Sequence, residues 1–88
     1  MKTGTTKSGF KFSVNEEVAD DMEFLEELME AQENAVFFPK VITRLLGSEQ
    51  KKELYDHLRN EEGRVPIEAV TETFAEIMTL AGEDTKNS

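Results

Sequence analysis

The chain has 88 residues, 19 of them acidic and 10 basic, for a net charge of −9, and it contains no cysteine. That length bounds it to a single domain of residues 1–88, too small to build a large catalytic cleft beside its core, and the missing thiols exclude a disulfide framework or thiolate metal site. The longest apolar run, Ala35 to Phe38, falls far short of the ~20 residues of a membrane span, and no signal-peptide apolar region follows Met1, so a soluble, unexported chain compatible with a reducing cytoplasm is expected.

Thr3 to Thr6 and Phe10 to Val14 read as short strands around a Lys7-Ser8-Gly9 turn. Phe10, Phe12 and Val14 alternate, so a hairpin sets all three on one face, and two strands alone need a helix beneath them. Asn15 then reads as the N-cap of an acidic helix, with Glu16 and Glu17 suited to its first-turn dipole and Asp20 or Asp21 as the competing start. Nine acids and no base lie between Glu16 and Glu33, while Val18, Met22, Leu25 and Met29 recur at steps of four, three and four and predict one helical face. Met22, Met29 and the later Met78 read as core filler.

Gln32 to Asn34 break that pattern, and Pro39 sits in the first turn of a second helix carrying Val41, Ile42, Leu45 and Leu46 until Gly47 stops it. Ser48 caps a third helix with Leu54, Tyr55 and Leu58 inward and Lys51, Lys52, Asp56 and Arg59 in water. Asn60 to Gly63 turn the chain. Pro66 opens a fourth helix whose inward positions are Ile67, Val70, Phe74, Ile77 and Met78, ending near Gly82. The expected fold is mainly α, a small four-helix domain with a short N-terminal β-hairpin or strand, ordered from about residue 5 to residue 82 with frayed termini.

Four constellations hint at chemistry and fail on their residues. Asn60 to Val65 is reminiscent of a calcium loop, but with Gly63 at the sixth position the first and twelfth become Leu58 and Ala69, where the ion needs carboxylates. Gly63 reads instead as a positive-φ turn residue. His57 is the single histidine and has no companion for metal binding or catalysis, so a half-exposed helical position is expected. Glu23 with Glu27, and Glu26 with Glu30, lie one turn apart but read as a solvated face. Lys40, Arg44, Lys51, Lys52, Arg59 and Arg64 are diluted by five acids, so they suit neutralisation of the acidic helix rather than nucleic acid. The chain is expected to be no enzyme and to carry no cofactor and no metal.

An acidic helix repels nucleic acid and anionic lipid and points to a protein partner. Candidate contacts are Phe10 and Phe12, whose strand edge can add a strand to a partner, and whichever of the adjacent Phe37 and Phe38 is exposed, since one helical turn cannot bury both on one side.

Thr5-Thr6-Lys7-Ser8-Gly9-Phe10, then Asp20-Asp21-Met22-Glu23, then Phe38-Pro39-Lys40-Val41-Ile42 with Leu45-Leu46-Gly47, then Glu62-Gly63-Arg64-Val65 stand in a recognisable order. Over roughly residues 5 to 80 the chain resembles a tail assembly chaperone of long-tailed bacteriophages and prophages of Gram-positive bacteria. The resemblance implies a small helical protein of the host cytoplasm, absent from the mature virion, that binds the tape measure protein and keeps it soluble. It also implies a fraction extended by a programmed frameshift, the extension recruiting the major tail protein. Thr85-Lys86-Asn87 is compatible with codons ACA AAA AAC, which contain the slippery run A-AAA-AAC, so the shift is expected there and Ser88 to end the short form.

Two other classes stay open: an acidic adaptor or inhibitor that mimics DNA toward a DNA-binding protein, and a minor structural protein of the virion. The mimic predicts binding that collapses in salt; a chaperone holding apolar segments keeps much of its affinity. Self-association is left open by the sequence.

Overall fold

A computed structural model describes the backbone of residues 1–86 and the side chains of residues 1–81. Strands β1 (Lys2–Thr5) and β2 (Lys11–Val14) pair antiparallel with Gly4 opposite Phe12. They are followed by α1 (Glu16–Ala19), α2 (Met22–Glu33), a 3-10 turn (Ala35–Phe37), α3 (Phe38–Leu58) and α4 (Ile67–Lys86). The expected mainly α domain with an N-terminal hairpin is what forms.

The hairpin turn is closed by local hydrogen bonds. Thr6 N–H donates to Phe10 O at 2.9 Å, Gly9 N–H to Thr6 O at 3.0 Å and Phe10 N–H to the buried Thr6 Oγ1 at 3.1 Å. Gly9 takes φ 93°, a left-handed value that favours glycine. Phe10, Phe12 and Val14 all point into the core, as their alternation requires. Two longer reaches fix the turn on the helices: Lys7 N–H donates to Glu76 Oε2 at 2.7 Å, and His57 Nε2 lies 3.1 Å from both Ser8 Oγ and Ser8 O. His57 is therefore an exposed clamp on the hairpin, its ring 5.7 Å from that of Phe10.

The acidic segment is two helices, because both candidate starts are used. Asn15 Oδ1 accepts from Glu17 N–H at 2.9 Å to cap α1, and Asp21 Oδ1 accepts from Glu23 N–H at 2.8 Å to cap α2. Pro39 lies in the first turn of α3, where its missing N–H costs no bond. The expected second and third helices form one element bent at Gly47, whose φ of 84° and ψ of 161° interrupt the helix where glycine alone is at ease. At Asn60 to Arg64 the turn forms with Gly63 at φ 84°; Asn60 Oδ1 accepts from Glu62 and Arg64 N–H, each at 3.0 Å. α4 does not stop at Gly82 but continues to Lys86, since one glycine inside a helix costs only about 1 kcal/mol. The expectations for Asn87 and Ser88, including the end of the short form, lie outside the described residues.

The core joins the hairpin face to α2, α3 and α4 through Val14, Phe24, Val41, Ile42, Leu54 and Ile77, all essentially inaccessible. Ile67, expected inward, is 75% exposed at the start of α4; Val70, Phe74 and Ile77 carry that helix's buried face.

The outer edge of β2 is closed by a side chain. Gln50 on α3 accepts from Ser13 N–H at 2.7 Å through Oε1 and donates to Ser13 O at 2.6 Å through Nε2, as a neighbouring strand would. Gln50→Ala strips a half-buried backbone amide and carbonyl of both partners, and is expected to cost about 1–3 kcal/mol in urea unfolding. An unchanged midpoint would mean that water replaces the amide without loss.

Candidate functional site

Three of the four phenylalanines singled out in the sequence are packing residues. Phe10 and Phe12 are 5% and 3% exposed, so their side chains cannot meet a partner, and the strand edge beside them is occupied at Ser13 by Gln50. Phe38 is half-buried with its ring edge-on to Phe74, centroids 5.1 Å apart at 82°. Phe37 is the exposed member of its pair, at 42%.

The largest departure from the sequence reading is the orientation of α2. Phe24 and Ala31 are buried and Leu28 packs against the core, whereas Met22, Leu25 and Met29, expected inward, are 70%, 45% and 57% exposed. Both rows obey steps of three and four, so the helical period admits either as the buried face. The break at Asp20 and Asp21 uncouples Val18, half-buried on α1, from the row it was expected to lead.

An ion-pair cluster holds this orientation. Glu27, between Phe24 and Leu28, keeps only 14% of its side chain exposed and engages Lys40 at 3.2 Å together with the Arg44 guanidinium, fastening α2 to α3. Burial pushes its carboxyl up, but the hydrogen bonds and charges of Lys40 and Arg44 together outweigh that and hold it below its ordinary value of 4.5. Because the folded value is depressed, this contribution to stability is complete above the ordinary value and is lost as the pH falls below it. Glu27→Gln is therefore expected to flatten that part of the acid limb in unfolding titrations. A wild-type acid limb in the variant would locate the dependence in other carboxylates.

The result is an exposed Met22-Leu25-Met29 stripe, about two helical turns long. Beyond the helix end come Val36, 78% exposed, and Phe37. Glu23, Glu26, Glu30 and Glu33 of the same helix are all exposed. Sequence reasoning missed this surface because it assigned the stripe to the core. The signal that could have found it is the competing row led by Phe24, the largest apolar side chain of the segment.

Among the described residues no cluster of three His, Asp or Glu side chains is placed to hold a metal ion. No helix among them is long and apolar enough to cross a membrane. Comparison with known proteins gives no match to any protein family, to any curated protein or to any solved structure.

Proposed function

We propose that this chain is a tail assembly chaperone of a long-tailed bacteriophage or prophage, a non-enzymatic protein that binds the tape measure protein and keeps it soluble during tail assembly. The observation that carries this reading is the exposed Met22-Leu25-Met29 stripe on a helix rich in exposed carboxylates. Apolar side chains give a surface on which segments of a long client are buried, and flexible methionines adapt to successive, differently shaped segments. The carboxylates keep the loaded surface soluble and discourage nucleic acid. On this reading the protein works in the host cytoplasm and leaves before the virion is complete, and an extended form carries the link to the major tail protein.

Co-expression with the long reading frame encoded just downstream tests it. The expected result is a soluble complex that co-purifies and persists in a salt titration. Insoluble client, with salt-sensitive binding to a DNA-binding protein instead, would replace the reading with an acidic mimic; persistence of the chain in purified particles would replace it with a virion component.

A further inference from the structure

At about 3.6 residues per turn, Met22, Leu25 and Met29 form one row along α2, and Gln32 continues it. Glu23, Glu26, Glu30 and Glu33 form a second, parallel row, displaced by one residue onto the flank of the stripe that faces away from Leu28. The fifth acid of the helix, Glu27, is turned inward onto Lys40 and Arg44 and is not part of the exposed row. The surface is thus asymmetric: apolar along its middle, acidic along one side, with the half-buried Leu28 and no charge along the other.

We propose that this face docks a partner α-helix whose apolar side chains recur at three- and four-residue steps and whose Lys or Arg residues line only the flank that meets the acidic row. The apolar row of α2 has the spacing of a helix-packing seam, and the acids stand where charges set the choice and orientation of a neighbouring helix. Charge complementarity selects the occupant. A second copy pairing through the same face would set the acidic row against itself if antiparallel, or against a flank of α2 that carries no base if parallel, in chains that each carry a net charge of −9. Anionic lipid and nucleic acid are repelled by the same row. The assignment deepens the chaperone reading and rests on it for the identity of the client.

The test uses the full chain and synthetic helical peptides of about 20 residues, enough for a helix of several turns. One peptide has leucines at steps of three and four with lysines on one flank, the second has glutamates in place of the lysines, and binding is read by fluorescence anisotropy. The lysine peptide is expected to bind at least about tenfold more tightly than the glutamate peptide. Leu25→Ser with Met29→Ser, at exposed positions, should weaken it by a further factor of about ten or more, with the helical circular dichroism unchanged. Glu26→Gln with Glu33→Gln should weaken it severalfold in low salt and make little difference in about 0.5 M salt. Equal affinity for the two peptides, no binding of either, or full binding by the serine variant overturns the proposal. Dimerisation of the free chain that the serine variant abolishes also overturns it, in favour of a second copy. The two readings fail separately: tape measure captured undiminished by the serine variant removes this docking face and leaves the chaperone, whereas peptide binding without capture of the tape measure does the reverse.

Discussion

Phe24→Ala is expected to cost about 3–5 kcal/mol, while Leu25→Ala, one residue along the same helix, changes stability by no more than about 0.5 kcal/mol. Phe24 is 1% exposed within the buried core cluster, and truncation leaves a cavity that close-packed neighbours cannot collapse into without losing contacts of their own. Leu25 is 45% exposed and already meets water. At about 0.05–0.15 kcal/mol per residue, a domain of this size has about 4–13 kcal/mol in all, so the Phe24→Ala variant should unfold at a markedly lower urea concentration. Urea titrations of the two variants decide the orientation of α2. Equal losses would show that both rows are packed, and a larger loss for Leu25→Ala would invert the helix and remove the proposed binding face.

Gly4→Ala is the second change with a large expected effect. A Cβ built on Gly4 would stand 2.7 Å from Cζ and 3.0 Å from Cε2 of Phe12, the residue paired opposite it in the hairpin. The tip of a phenylalanine ring can usually swing aside, but Phe12 is 3% exposed and walled in by the core. Alanine gains about 0.4–1 kcal/mol by restricting the unfolded chain, and overpacking costs about 1–3 kcal/mol, so the clash wins. The expected outcome is a net loss of about 1–2 kcal/mol. Phe12→Leu shortens the side chain, so Gly4→Ala should cost markedly less in that background. Additive losses in the double variant would mean that the two residues do not share the space.

The two changes probe different kinds of legibility. The hairpin and its inward face could be read directly, because Phe10, Phe12 and Val14 alternate over a segment bounded by a glycine turn, and a strand has only two faces. Pro39, Gly47, Gly63 and the cap at Asn15 were equally legible, since each acts through its own backbone or through atoms a few residues away, whereas Asp21 read as a rival start and is a second cap. The candidate site was legible only in part. Phe37 and Phe38 announced that one of them must face water, but which one depended on Phe74, thirty-six residues after Phe38 and on another helix.

Composition and local pattern therefore determined, without any structure, that this is a small, acidic, mainly helical chain with an N-terminal hairpin, a break at Gly47 and a turn at Gly63. Tertiary structure alone decided which of two equally periodic rows of α2 is buried. A helix rotates about its axis at no cost to its own hydrogen bonds, so its orientation is set by what it meets: a cavity that fits Phe24, and Lys40 and Arg44 placed to engage Glu27. The same long-range packing buried Phe10 and Phe12, closed the strand edge with Gln50, and left Met22, Leu25 and Met29 facing water.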